Sequence, residues 1–168
     1  MATESALAQH HPVVQPRAEN VNVPGEGDSI PMLDFGGRPV AEVMINGKGP
    51  YRFIVDTGAA LTVLDSSVAV QLAMPDTETV HELRIGKVAI RELPVVVNSF
   101  SEMVGPGDVP RGVLSASSFP GALVTFDYPG KRIIFSKGIL PEANTRNIFG
   151  YDAGDLPSVP VKAANREI

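Results

Sequence analysis

Residues 51–64 read YRFIVDTGAALTVL, and this stretch decides how the rest of the chain is interpreted. Its apolar run FIV favours a β-strand. The run ends at an acid, Asp56, and a turn through Thr57 and Gly58 leads into a second predicted strand, Ala59–Leu64. Because burial disfavours an ionised carboxylate, an acid at the inner end of a buried strand must be paired, hydrogen-bonded or used. We therefore take Asp56 as the candidate catalytic residue.

The composition is that of a globular chain built from short strands. Apolar residues make up 43% and charged residues 20% of the 168 residues, as in ordinary folded domains. The 16 Gly and 15 Pro separate short Val, Ile and Leu runs, a pattern typical of strands and turns. A net charge of −5 with scattered Lys and Arg argues against nucleic acid as the main partner.

Two further function classes are excluded by residue content. The sequence holds no Cys, so disulfides, thiol catalysis and Cys-ligated metals are excluded. No apolar run reaches the roughly 18 residues of a membrane-spanning helix. His10 and His11 are adjacent in a polar segment, and we do not interpret them as metal ligands.

The flanking sequence predicts a series of strands joined by tight turns. Asn46-Gly47 is a strong signal for a two-residue hairpin turn, and Pro129-Gly130 favours a type II turn. Strands are expected at Ile30–Phe35, Pro39–Ile45, Tyr51–Val55, Val80–Ile85, Val88–Ile90, Leu93–Val97, Ala122–Asp127 and Arg132–Ser136.

One short helix is expected after the second arm of the central stretch. Asp65 or Ser66 would cap a helix over Ser67–Ala73, which should end before Pro75. Residues 112–118, GVLSASS, should form the end of a strand that runs into a short helical turn.

Four segments are predicted along the chain. Residues 1–29 are polar without apolar period and are predicted to be a flexible lead-in. Residues 30–137 are predicted to form the folded domain, and residues 138–157 a linker. Residues 158–168 weakly repeat the domain's own opening strands, so we interpret them as a candidate first strand of a truncated second copy.

The chain resembles the retropepsin-like aspartic proteases, in particular their bacterial aspartyl-protease-like branch. The resemblance runs from about residue 38 to residue 135 and rests on FIVDTGAALTVL, LRIGKVAIRELPVVV and GVLSASSF followed by LVTFDYPGKRIIF. It implies an all-β fold: a closed or partly closed β-barrel, one lobe of an acid protease, with one or two short helices. It further implies a polypeptide substrate, no cofactor, no metal, and a location outside the cytoplasm, periplasmic or secreted.

The chemistry implied by this resemblance needs two carboxylates. One takes a proton from water while the other gives a proton to the peptide carbonyl oxygen, and two carboxyls in contact share a single proton. This chain has one D-T-G motif and therefore holds half of such a site. The other half would be Asp56 of a second copy in a homodimer, or would come from a second domain after residue 157.

The resemblance also assigns supporting roles around Asp56. Thr57 would link the two halves of the site by hydrogen bonds, Gly58 would permit the tight turn, and Ala59 supplies no hydroxyl. An apolar pair and the residue after it would support the catalytic loop; these are Val113, Leu114 and Ser115.

Two departures from the family pattern leave an alternative open. Ser115 stands where the family has Gly, and Ser would be strained if the position needs a positive φ. Only Pro75–Glu82, without Gly, is available for a substrate-covering flap, and a lid excludes water and positions the peptide. The alternative is a catalytically inactive dimerisation or peptide-binding module. An unrelated all-β domain with an accidental D-T-G is a third interpretation, and we give Asp127 and His81 no catalytic role.

Overall fold

The structure, a computed structural model, describes residues 17–74, 79–100, 109–144, 146–150, 162–163 and 166–167. Over these residues the chain is mostly β with one short α-helix, which confirms the predicted fold class. None of the helices in the described part is long and apolar enough to span a membrane.

The elements follow one another as short strands with two helical turns. The strands are β1 (Asn20–Asn22), β2 (Asp28–Pro31), β3 (Leu33–Phe35), β4 (Arg38–Ile45), β5 (Lys48–Asp56), β6 (Val63–Asp65), β7 (Thr79–Ile85), β8 (Val88–Pro94), β9 (Val96–Asn98), β10 (Gly112–Ser115), β11 (Leu123–Asp127), β12 (Arg132–Ser136), β13 (Lys162–Ala163) and β14 (Arg166–Glu167). The helix α1 covers Ser66–Gln71, and a 3₁₀ turn covers Ala116–Ser118.

Two sheets pack against each other to form the domain. The larger sheet has the order β1-β8-β7-β4-β5-β10-β6-β9, with β3 paired to β4, and the smaller has the order β11-β12-β2. The predicted barrel is not closed by strand pairing within the described residues, because no ladder there joins β1 to β9. The short strands β13 and β14 pair only with each other.

The main core lies between the two sheets. Phe53 from the large sheet and Phe135 from the small sheet are almost completely buried in one apolar cluster. The rings of Phe119 and Phe135 are in contact, with centroids 5.4 Å apart. A second, smaller cluster forms around Val40 and Ile54. Burial of these side chains is the main favourable term that holds the sheets together.

The hairpin before Asp56 forms as predicted. Asn46 and Gly47 both have positive φ, 49° and 77°, as a type I′ turn requires. The turn joins β4 to β5 in register, with Ile45 opposite Lys48. The predicted type II turn at Pro129-Gly130 is wrong, because Gly130 lacks the positive φ that this turn demands and Lys131 carries it instead.

The short helix is capped by the first of its two candidate residues. The Asp65 carboxylate accepts a hydrogen bond from the Ser67 backbone N–H at 3.0 Å, so one otherwise unsatisfied N-terminal donor is paired. The helix ends earlier than predicted, at Gln71, because Ala73 has a φ of 55° and cannot continue it.

Several predicted boundaries need correction. The lead-in is wrong for residues 17–29: β1 pairs with β8, and Ala18 and Val23 are buried in the core. The strand predicted over Ala59–Leu64 begins only at Val63. Residues 1–16 lie outside the described part of the chain, as do residues 151–161 of the predicted linker and its continuation.

A glycine lets β10 enter between β5 and β6. A Cβ at Gly112 would overlap the Val63 carbonyl oxygen and the ring of Phe53. Since backbone and a buried ring cannot move aside cheaply, any side chain here would push β10 away from its neighbours.

Gly112→Ala is therefore expected to lower the free energy of unfolding by about 1–3 kcal/mol, the usual cost of overpacking a core. Chemical denaturation followed by circular dichroism measures the change. Gly25→Ala is the matched control, because an added Cβ there meets no atom of the described residues within 4 Å. Equal unfolding midpoints for the two variants would contradict this account of β10.

The turn between β11 and β12 is held by an acid. The Asp127 carboxylate accepts from the Arg132 guanidinium at 2.7 Å and from the Gly130 backbone N–H at 2.9 Å. The Arg132 hydrogen bond, with the Gly130 N–H second, holds the pKa of Asp127 below its usual value. A lowered pKa means that this contribution to stability is present above the unfolded-state pKa and is lost as the pH falls through the folded-state pKa.

Asp127→Asn should therefore reduce the drop in melting temperature on going from pH 7 to below about pH 4, the region where an unperturbed Asp titrates. Thermal melts of wild type and variant across this range measure the effect. Arg132→Gln removes the same ion pair and should flatten the profile in the same direction. An unchanged acid-induced drop in both variants would show that the pair does not stabilise the hairpin.

Candidate active site

Asp56 is the last residue of β5 and projects from the end of a strand that is buried up to that point. Residues 53–55 are buried, whereas Asp56, Thr57 and Gly58 are exposed. The expectation of a buried acid is thus wrong for the single chain. The Asp56 carboxylate accepts a hydrogen bond from the Gly58 backbone N–H at 2.8 Å, and the Ala59 N–H donates to the Asp56 carbonyl oxygen at 3.3 Å. The D-T-G turn therefore fixes the carboxylate by its own backbone.

The neighbouring strand β10 pairs with β5 as far as Asp56. It runs parallel to β5, with Val113 opposite Ile54, Leu114 opposite Val55, and Ser115 opposite Asp56. On its other side β10 runs antiparallel to β6, and β6 in turn runs parallel to β9. The carboxyl ends of β5 and β10, which are distant in sequence, thus lie side by side at the acid.

Ser115 fits its position without strain. Its φ of −79° and ψ of 167° are extended backbone angles, which any residue adopts. The expectation that Gly might be needed at this position is therefore not met. The Ser115 side chain is almost fully buried, directly beside the level of Asp56 on the adjacent strand.

A buried cluster of hydroxyl groups lies behind the D-T-G turn. The Thr62 hydroxyl is hydrogen-bonded to the Ser115 hydroxyl at 3.0 Å and to the Ser118 hydroxyl at 2.7 Å, and it accepts from the Ser115 backbone N–H at 3.3 Å. The Ser115 hydroxyl also meets that of Ser117 at 2.6 Å. Thr62, Ser115 and Ser118 are only 3%, 1% and 0% exposed, so these bonds form away from water, where an unmade one is costly.

Thr62 therefore joins the D-T-G loop to two strands. Its side chain binds β10 and the following 3₁₀ turn, while its carbonyl oxygen accepts from the Val96 N–H of β9 at 2.9 Å. The loop that begins at Asp56 is therefore held at Thr62 by β10, the same strand whose Ser115 lies opposite Asp56.

Two clefts open on either side of Asp56 and Thr57. The larger has a volume of about 480 Å³ and is walled by apolar side chains, among them Leu114, Phe119 and Leu140. The smaller has a volume of about 320 Å³. Its lining residues are Gly37, Arg38, Pro39, Ile54, Val55, Asp56, Thr57, Phe126 and Tyr128. Asp56 is the one acid among the described residues that line either cleft.

The predicted supporting residues divide between the site and the core beneath it. Thr57 lines both clefts, and Leu114 and Ser115 line the larger one. Val113 packs in the smaller apolar cluster with Ile54 instead. Of the segment available for a flap, residues 75–78 lie outside the described part of the chain, and residues 79–82 belong to β7.

Other candidate groups lie away from Asp56. The imidazole of His81 is paired with Glu92 at 3.2 Å on an exposed surface. The described residues contain no cluster of three or more side chains that could hold a metal ion. Sequence reasoning named Asp65 as a candidate cap of the helix but missed that this acid is fully buried, and it missed the hydroxyl cluster centred on Thr62.

Comparison with known proteins agrees with the interpretation of this region. Residues 41–80 match the family described as aspartyl protease, a segment that includes Asp56 and α1. The chain is also similar to the crystal structure of a retropepsin-like aspartic protease from Rickettsia conorii. The two sequences are 18% identical, the match covers 68% of this chain and 94% of the Rickettsia chain, and the TM-score is 0.46. No curated protein sequence matches the chain significantly. The family match agrees, over residues 41–80, with the predicted resemblance to aspartic proteases.

Removal of the central hydroxyl tests the cluster behind the D-T-G turn. Thr62→Val keeps the side-chain shape but leaves the Ser115 N–H and two buried Ser hydroxyls without their shared partner, so it should cost about 1–3 kcal/mol of unfolding free energy. Thr125→Val on β11 is the control, because Thr125 is exposed. Urea denaturation measures both variants, and a Thr62→Val cost no larger than that of the control would rule out a structural role for the cluster.

Proposed function

We propose that this chain, whose residues 41–80 match the aspartyl protease family, is an aspartic endopeptidase that acts as a homodimer with one Asp56 from each copy. The observation that carries the proposal is the position of Asp56: an exposed carboxylate, fixed by the Gly58 N–H, between two clefts that open on either side of it. A peptide lying across both clefts would pass directly over this carboxylate.

The proposed reaction needs no group beyond two carboxyls and a water molecule. The ionised carboxylate removes a proton from water, and the oxygen attacks the peptide carbonyl carbon as the protonated carboxyl gives its proton to the carbonyl oxygen. In the tetrahedral intermediate the carboxyl that received a proton donates it to the nitrogen, and the C–N bond breaks. One hydroxyl of the diol returns its proton to the other carboxylate as the product carboxylic acid forms, so the pair again holds one proton. The pair must hold one proton at the start, so the rate should fall on both sides of an optimum.

A second acid is required because the described residues of one chain place only one acid at the clefts. Asp56 is the sole acidic lining residue of both clefts over the described residues. Its exposure in the single chain leaves the carboxylate open to a twofold-related copy, in which each chain contributes the same residue. A second domain after residue 157 would supply the other acid in a tandem arrangement, and concentration dependence separates the two.

A catalytically inactive peptide-binding or dimerisation module is the alternative. The hydrogen bond between Asp56 and Gly58 is the observation in its favour, because such a bond also satisfies an acid that takes part in no reaction. This alternative predicts a stable fold and no hydrolysis at any pH.

The Asp56→Asn variant tests the endopeptidase proposal. Cleavage of an unfolded protein substrate between acidic and neutral pH should be lost, because an amide cannot act as general base, while the melting temperature should be kept. Asp34→Asn is the matched control: Asp34 is also exposed and also accepts a backbone N–H, that of Gly37 at 3.1 Å, and its cleavage rate should equal wild type. No cleavage by wild type, or equal rates for wild type and Asp56→Asn, would overturn the proposal.

The homodimer is tested by mixing wild type with Asp56→Asn. If two copies share the site, random pairing in an equal mixture leaves one quarter of the dimers with two intact acids, so activity per wild-type chain should fall by half. Specific activity of wild type alone should rise with protein concentration. A rate that is unaffected by the inactive variant and linear in concentration would favour the tandem arrangement instead.

A further inference from the structure

Arg38 lines the smaller of the two clefts together with Asp56. It is the first residue of β4, which is antiparallel to β5, with Val40 opposite Ile54. Continuing that register by two residues along each strand brings Arg38 level with Asp56. A cation and the candidate catalytic acid therefore stand side by side at one end of the sheet.

Arg38 differs from four other strand arginines in that it has no carboxylate partner among the described residues. Ion pairs join Arg52 to Glu42, Arg84 and Arg91 to Glu82, and Arg132 to Asp127. Among the described residues, no carboxylate lies within ion-pair distance of Arg38, and that includes Asp56. A guanidinium presents a planar set of donors suited to two-point binding of a carboxylate, and within the described ranges Arg38 does not use this capacity.

The rest of the cleft offers apolar surface beside this charge. The rings of Phe126 and Tyr128 are stacked with centroids 6.4 Å apart, and Tyr128 is 58% exposed. Pro39 and Ile54 complete the wall. The volume of about 320 Å³ is at the lower end of the range for ligand pockets, which suits a single side chain with an apolar stem and a charged tip.

We propose that Arg38 and the Phe126–Tyr128 pair form a subsite that binds a carboxylate of the peptide substrate. This inference rests on the proposed function for the identity of the ligand as a peptide. It adds a preference: a peptide with an acidic group next to the bond that lies over Asp56 should bind better than its neutral isostere.

The charge of Asp56 explains why a cation is needed for such a preference. A substrate carboxylate in the same cleft as an ionised acid is repelled by it. Because Arg38 is positively charged, it attracts a substrate carboxylate at its end of the cleft and so opposes the repulsion by Asp56. Without Arg38 the site should disfavour acidic peptides.

Two sources could supply the carboxylate: the side chain of Glu or Asp, or the free C-terminus of the peptide. The experiment therefore uses three fluorescently labelled peptides of equal length. One carries an internal Glu and an amidated C-terminus, the second carries Gln and a free C-terminus, and the third carries Gln and an amidated C-terminus.

Binding is measured by fluorescence anisotropy on the Asp56→Asn protein, so that turnover is not needed and the result does not depend on whether the chain is an active protease. At least one carboxylate peptide should bind about tenfold or more tightly than the neutral one, and that peptide identifies the source. In the Arg38→Gln, Asp56→Asn double variant the preference should disappear, and Arg38→Lys should restore part of it, because charge remains but two-point binding does not.

Arg91→Gln in the same background is the control. It removes an equal charge from an exposed strand position outside the cleft and should leave the preference unchanged. Melting temperatures of all variants establish that each is folded. Equal binding of the three peptides, no binding of any of them, or a preference that survives Arg38→Gln would overturn the subsite. Cleavage of neutral peptides by wild type at the same rate as acidic ones would overturn the subsite while leaving the endopeptidase proposal intact.

Discussion

The parallel pairing of β10 with β5 is the constraint on which the candidate site depends. Parallel strands cannot be joined by a tight turn, so this pairing must be held by packing and by the strands on either side. Gly112 permits the close approach of β10 to its neighbours, and Ser115 then stands opposite Asp56. The Thr62 hydroxyl that secures the D-T-G loop is bonded to β10 as well, so β10 holds both the residue opposite Asp56 and the far end of the loop.

The electrostatic situation of Asp56 follows from its place at a strand end. The residues before it belong to the apolar interior, while the carboxylate itself is exposed. The buried acid of this region is instead Asp65, which is bound by the helix terminus that it caps. The chain thus separates an acid that stabilises structure from an acid that is left open to other groups.

Much of the fold could be predicted because short-range patterns determine it. Alternating apolar residues marked the long hairpin, and the Asn46-Gly47 turn has the backbone angles that its residues favour. The end of β5 at Asp56 was likewise predicted from an apolar run that stops at an acid. β1 was missed, because the three residues Asn-Val-Asn are too few to show an apolar period; it forms since β8 offers an edge to pair with.

The rest of the site could not be predicted because it depends on contacts between distant residues. Thr62 and Ser115 are separated by 53 positions, and nothing in either local sequence indicates that their hydroxyls meet. The accessibility of Asp56 was predicted wrongly for a related reason: hydrophobicity along a strand reports the burial of the strand, not of the residue that ends it. The turn at Pro129-Gly130 failed because the Asp127 carboxylate occupies the space beside Gly130 and selects another geometry.

The larger cleft has one wall that comes from beyond the last strand of the domain. Leu140 lines it opposite Asp56 and Thr57, although the small sheet ends at Ser136. The cleft is therefore lined in part by a residue that lies outside the two main sheets. A shortened version of this protein that ends after β12 would keep every residue of the two main sheets and still have an altered cleft. A comparison of ligand affinity between trimmed and longer versions would therefore compare two different binding surfaces.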